Sequence, residues 1–193
     1  MKKIVAYDFD GTLTTRDTFL AFILYAKGRS RFLWGFLRYA PLLVLMKLKL
    51  YPNYKAKQKV FAYFFGGMEL TAFDALCQQF ATDNGILLRP KGVKAIEQAQ
   101  VEGAEVLIVS ASIDNWVQPL FPTVQVLGTQ VEVIDGRLTG RFLTKNCYGQ
   151  EKVNRILACY PDREAYHLTA YGDSRGDEQL LAFADEAYFK PFR

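Results

Sequence analysis

From Ile4 to Phe9 the chain reads IVAYDF, and Gly11 follows closely. A short, partly β-branched apolar run of this kind predicts a buried strand ending at Asp8–Asp10. From Asp17 to about Leu88 no strand-like alternation occurs. Helical segments are expected there, divided near Gly28–Ser30, near Pro41, at Tyr51-Pro52-Asn53 and at Gly66–Gly67, with Asp17, Asn53 and Thr71 as N-caps. The rhythm changes after Pro90. A helix over Val93–Gln100 precedes a buried strand, Glu105–Val109, that ends at Ser110. A short helix follows over Ile113–Leu120, then a strand over Val124–Leu127. Val131–Phe142 alternates around Asp135-Gly136, a strong hairpin signal. A helix over Gln150–Tyr160, a strand over Tyr166–Tyr171, a helix near Glu178–Phe183 and a strand near Ala187–Phe189 complete the chain.

Strands alternating with helices predict an α/β fold, a Rossmann-like doubly wound parallel sheet. Residues 1–14 and 90–193 are expected to form this core, and residues 15–89 an inserted all-helical cap. Open sheets of this kind bind ligands beyond the carboxyl ends of their strands. Three predicted strand ends carry acids or a hydroxyl: Asp8 with Asp10, Ser110, and Asp173 with Asp177.

Composition narrows the class. Half of the 193 residues are hydrophobic and 23% are charged, so a core can form and disorder is excluded. The three cysteines, Cys77, Cys147 and Cys159, contain no Cys-x-x-Cys pair and read as buried reduced thiols. Four apolar residues before Asp8 cannot make a signal-peptide core, so a cytoplasmic protein is expected. Phe32–Met46 is very apolar but shorter than a membrane span, and Arg38 and Pro41 interrupt it. It reads as a greasy helix pair or an interfacial segment. The only histidine, His167, lies in an apolar strand and reads as a core or near-core residue.

Asp8-Phe9-Asp10-Gly11-Thr12 places two carboxylates at the end of a strand, and Gly172 to Asp177 offers two more on a strand-to-helix turn. Four converging acids repel unless a cation joins them. A hard divalent ion such as Mg2+, with oxygen ligands, suits a mixed protein–phosphate site. An EF-hand would need an acid where Phe19 stands. No Gly-Lys dipeptide exists for a phosphate-binding Walker loop, and no Gly-x-Gly-x-x-Gly occurs.

The order of these pieces resembles the haloacid dehalogenase superfamily of phosphohydrolases over essentially the whole chain. Asp8-Phe9-Asp10-Gly11-Thr12-Leu13-Thr14 is similar to its first motif, and Ser110-Ala111-Ser112 to its second. Lys152 sits where the third motif's lysine belongs, and Gly172-Asp173-Ser174-Arg175-Gly176-Asp177 resembles the fourth. The insertion resembles the type-1 cap of the phosphoserine-phosphatase-like branch. Within that branch, Asp17-Thr18-Phe19 and Cys147 to Val153 look most like phosphatidylglycerophosphatase C.

The resemblance implies a role for each residue. Asp8 attacks phosphorus and becomes an aspartyl-phosphate. Asp10 serves as acid and then base. Ser110, Ala111, Gly11 and Thr12 contact the phosphoryl group, and Lys152 neutralises charge. Mg2+ is held by Asp8, the Asp10 carbonyl and Asp173, with Asp177 binding its waters or orienting Lys152. Asp17 stands where that branch carries a longer glutamate that reads a substrate ammonium. Lys55, Lys57 and Lys59 fall in the zone of its carboxylate-reading arginine.

Charge distribution adds a second question. The net charge is only +4, yet Arg16–Lys59 holds ten Lys or Arg against the single acid Asp17, leaving the remainder at −5. Nine aromatic residues are interleaved with those bases. Such a segment either packs cap helices with its lysines solvated or attracts an anionic membrane, peripherally at its inner face. It is too hydrophobic for a nucleic-acid groove. The resemblance implies a phosphomonoester substrate, either a lipid phosphate such as phosphatidylglycerophosphate or a small soluble metabolite like phosphoserine. Dehalogenation is disfavoured by the complete phosphatase set, a phosphomutase less firmly. A non-enzymatic membrane-surface protein is disfavoured by the intact acids.

Overall fold

The computed structural model describes residues 1–193. Five parallel strands form the sheet: β1 (Lys2–Tyr7), β2 (Glu105–Ile113), β3 (Gln125–Thr129), β6 (Tyr166–Gly172) and β7 (Glu186–Phe189), in the order β3-β2-β1-β6-β7. Between β3 and β6 lies a separate hairpin, β4 (Val131–Ile134) and β5 (Arg137–Phe142), turning at Asp135 and Gly136, both with positive φ. The winding reverses between β1 and β6, so the ligand crevice of such a sheet falls at the ends of these two strands.

Side chains alternate across β1, which therefore serves two cores. Ile4 and Ala6 join Leu107, Leu168, Ile156 and Leu180 on the face covered by α6 (Gln150–Cys159) and α7 (Glu178–Phe183). Tyr7 and Phe9 join Ile96 and Ile108 on the opposite face, covered by α4 (Pro90–Val101). Tyr7, Tyr171 and Tyr188 are register partners on adjacent strands, and their rings stack at 4.6 and 4.9 Å. This ladder fixes the register next to the crevice.

The helical insertion comprises α1 (Thr18–Lys47), α2 (Asn53–Phe65) and α3 (Leu70–Asp83). Gly28, at φ 73° and ψ 169°, breaks α1 at the expected division. Pro41 does not divide it. A proline costs a helix one amide bond, about 3 kcal/mol. Here Phe36, Tyr39 and Leu43 pack against the core on either side of it and hold the helix through the gap. Asp17 caps α1, but Pro52 and Glu69, not Asn53 and Thr71, occupy the other cap positions. At α3 the first amide, Leu70 N–H, instead donates to Gly136 O at 2.9 Å. The hairpin thus clamps the insertion. Gly67 N–H donates to Leu138 O at 2.7 Å, and Leu138 N–H returns a bond to Met68 O at 2.9 Å.

β2 runs past Ser110 to Ile113, because Ile113 still pairs with Thr129 after a register shift. The irregularity places Ser110–Ser112 at a bulge, a feature that re-aims side chains. Only Asp114–Val117 (α5) of the expected Ile113–Leu120 helix is α-helical, and a 3-10 turn completes it. Cys77 and Cys147 are buried, whereas Cys159 is exposed on the end of α6. His167 is half-exposed beside Asp185 and Glu186, since β6 meets only the short edge strand β7 on that side. No helix is long and apolar enough to cross a membrane.

Candidate active site

Asp8 follows β1 and continues its pairing through N–H donation to Tyr171 O at 2.9 Å. Its even position turns its side chain toward α6, where Lys152 stands on the first turn. Lys152 Nζ donates to Asp8 Oδ1 at 2.5 Å and to Asp177 Oδ1 at 2.6 Å, with all three side chains buried. Asp8 Oδ2 accepts from Thr12 Oγ1 at 2.9 Å. Asp177 Oδ2 accepts from the N–H groups of Asp173 and Ser174 and from Ser174 Oγ, at 3.0–3.1 Å. The turn after β6 is thereby held around one carboxylate.

One candidate ligand oxygen from each of Asp8, Asp173 and Asp177 lies within 4.8 Å of the others. This all-oxygen set could hold a hard divalent cation. Arg193 also pairs with Asp173. Gly11, at φ 85°, passes so close that a Cβ there would lie 2.5 Å from Asp173 Oδ2. The turn after Asp10 therefore requires glycine, both for its conformation and for room beside this acid.

Electrostatics follow from burial. Desolvation raises the Asp8 pKa to about 7, against the pull of Lys152 and with help from Asp177. Burial by itself would lower the Lys152 ammonium, but Asp8 and Asp177 reverse this and hold it raised. Burial would raise Asp177, yet Lys152 and the backbone N–H groups keep it below the usual carboxylate range.

Asp10 faces elsewhere. Its Oδ1 accepts from both Thr18 N–H and Thr18 Oγ1 at 2.7 Å, and its Oδ2 from Ser112 Oγ. Trp116 Nε1–H donates to Thr18 Oγ1 at 3.2 Å. Burial raises the Asp10 pKa, with Asp17 adding to it and these donors working against it. The Asp10 carboxylate is thus outside the Asp8–Asp173–Asp177 cluster. Its partners come from the helical insertion and from the β2 bulge.

A cavity of about 600 Å3 joins these groups. Asp8, Asp10, Ser110, Ala111, Lys152 and Asp177 line its floor, whereas Phe19, Leu20, Phe36, Leu43, Met46 and Val60 line its other walls. Ser110 Oγ accepts from Ser112 N–H at 3.0 Å. Asp17 lines the same cavity from the cap of α1. Lys57 crosses it, donating from Nζ to Ala111 O at 2.7 Å and lying over the Phe19 ring. Burial pushes the Lys57 pKa down, while Asp10 and Asp17 pull it up. Sequence reasoning placed Lys57 only among three lysines and missed the roles of Thr18 and Ser112 as partners of Asp10. Both hydroxyls lay inside quoted motifs, but bonds spanning 8 and 102 positions leave no local pattern. Asn146 and Tyr148 are also in the cavity wall; Tyr148 lay in the quoted Cys147–Val153 stretch without a role, and Asn146 had no signal.

Residues 5–182 match the family of haloacid dehalogenase-like hydrolases. Protein CicA of Caulobacter vibrioides is 35% identical over 202 residues, spanning 98% of this chain and 86% of its own. A protein of unknown function from Bordetella pertussis Tohama I shares the fold with a TM-score of 0.81 at 19% identity, covering 97% of this chain and 89% of its own. A phospho-aspartyl intermediate analogue of phosphoserine phosphatase does so with a TM-score of 0.62 at 17% identity, covering 96% and 85%. The acid cluster closes the crevice of a sheet whose topology and sequence both match, and the chain belongs to the haloacid dehalogenase-like hydrolases.

Proposed function

We propose that this phosphohydrolase is a Mg2+-dependent phosphomonoesterase acting through an aspartyl-phosphate on Asp8. The observation that carries the reading is the buried Asp8–Lys152–Asp177 chain of charge-assisted hydrogen bonds beside Asp173. A carboxylate fixed between Lys152 and Thr12 is oriented for attack and cannot rotate away. Lys152 offsets negative charge on the transferring group. Asp10, whose raised pKa favours a shared proton, gives that proton to the leaving oxygen and later takes one from water. Ser110 and the Ala111 backbone, on the cavity floor, cradle the phosphoryl oxygens. Asp8 and Asp173, with Asp177 behind them, would hold Mg2+, which offsets repulsion between carboxylate and phosphate dianion when bound. Phosphoserine phosphatase, a fold relative, has been captured as an analogue of this intermediate.

The substrate we infer is a lipid phosphate, such as phosphatidylglycerophosphate, drawn from an anionic membrane. The apolar walls of the cavity, from Phe19 and Leu20 through Phe36, Leu43 and Met46, support a leaving group with a hydrocarbon part. Asp17 and Lys57 favour a second reading, since one could meet an ammonium and the other a carboxylate of a soluble phosphoamino acid. Parallel Mg2+-dependent assays of lipid and soluble phosphomonoesters separate them. Lipid phosphates are expected to show the higher kcat/KM. The reverse order assigns a soluble substrate, and no hydrolysis of either class rejects the phosphatase reading.

A further inference from the structure

Beyond Gly28, α1 is apolar on two faces. Phe36, Leu43 and Met46 turn inward and wall the cavity. Trp34, Leu37, Val44 and Leu48 turn outward, 56–69% exposed, with Leu33 and Leu45 beside them. The spacing of three, seven and four follows one helical face over about 21 Å at 1.5 Å per residue. A soluble surface rarely leaves so continuous an apolar stripe open to water.

Charge identifies what covers it. No acid occurs between Asp17 and Glu69, whereas nine bases do. Arg29, Arg31, Arg38, Lys47 and Lys49 are all exposed on this arm or at its end. A second copy of the chain would bring the same positive charge against itself. An anionic bilayer offers hydrocarbon to the stripe and phosphates to the bases, whose long stems reach around a shallowly buried helix. The rest of the chain carries −5, so the positive charge that such a surface attracts is concentrated in this segment.

We propose that the arm of α1 beyond Gly28 is an interfacial seat for an anionic lipid bilayer, with Trp34, Leu37 and Val44 entering the headgroup region. The inference rests on the lipid-phosphate reading for its purpose and gives it a route. One helix separates bilayer from cavity, so a lipid phosphate has one wall to pass.

The test uses the full chain with phosphatidylglycerol-containing vesicles and with pure phosphatidylcholine vesicles. Trp116 is fully buried, so a blue shift in tryptophan emission reports Trp34. Blue shift and sedimentation are expected with the anionic vesicles alone, weakening as salt rises. The double variant Leu37→Glu, Val44→Glu, which keeps Trp34 and touches no cavity residue, should lose about tenfold or more in vesicle affinity. Its kcat on a soluble aryl phosphate should not change. Absence of binding at low salt, unchanged binding by the variant, or a dimer that hides Trp34 would overturn the proposal. If vesicles bind the protein while lipid phosphates, vesicle-borne or short-chain, are not hydrolysed, the seat stands and the substrate assignment falls.

Discussion

Lys152 Nζ lies 2.5 Å from Asp8 Oδ1 on the cavity floor, with both side chains almost wholly buried. Each charge there depends on a partner, and Lys152 has two, Asp8 and Asp177. Burial alone favours a protonated carboxyl and a neutral amine, and Asp8 together with Asp177 keeps the lysine charged.

Asp8→Asn removes the proposed nucleophile but leaves a neutral amide of the same shape beside Lys152. Lys152 keeps Asp177 as its counter-ion. Activity is expected to fall by about a thousandfold or more, with no acid-stable phosphoenzyme and a nearly unchanged circular dichroism spectrum. Wild-type turnover would remove Asp8 from its proposed role.

Lys152→Met should behave differently. It strands two buried carboxylates, so stability falls as well as rate, by about 3 kcal/mol in denaturant unfolding. The double variant Lys152→Met, Asp8→Asn should recover part of that stability and none of the activity. A single variant as stable as wild type would show that the pair is not buried in solution.

The attack proposed for Asp8 needs its carboxylate form, and its pKa is raised to about 7. Activity should therefore rise with pH through that region when metal is scarce. A cation at the acid cluster favours the ionised form, so the acid limb of kcat/KM should move to lower pH as Mg2+ is increased. Profiles recorded at limiting and saturating Mg2+ check this, and superimposable acid limbs would contradict it.

Ser112→Ala takes one donor from Asp10 and leaves the two from Thr18. With less support for the carboxylate, the Asp10 pKa should rise further and its alignment loosen. Dephosphorylation of the intermediate should slow by about tenfold to a hundredfold. Acid quenching should then trap more phosphoenzyme than in wild type, which a merely structural serine would not produce.

The α/β alternation was legible because parallel strands buried on both faces read as unbroken apolar runs. Two strand ends were legible because Asp8 and Asp173 interrupt those runs with polar groups, whereas β2 runs on past Ser110 to Ile113. What sequence could not carry was partnership across the fold. Asp135-Gly136 announces a hairpin, but nothing local says that its turn and β5 bond the Gly67–Leu70 segment and take up the free Leu70 amide at the start of α3. Pro41 reads as a break until the packing of Phe36, Tyr39 and Leu43 is known. Asp17, Thr18 and Ser112 look like ordinary cap and strand residues. Only the meeting of α1 with the β2 bulge makes two of them the setting of Asp10.

Trp116, from α5, sits with its ring 4.8 Å from Phe22 of α1, inside a cluster that also runs through Phe61, Phe73 and Phe80 and back to Phe9 and Ile108. The helical insertion and the sheet therefore melt from one hydrophobic interior. Heating should give a single calorimetric transition, and excising the insertion would leave a sheet with an open wound of aromatic surface. Whatever evolutionary history joined the two parts, their shared interior is expected to make them one folding unit.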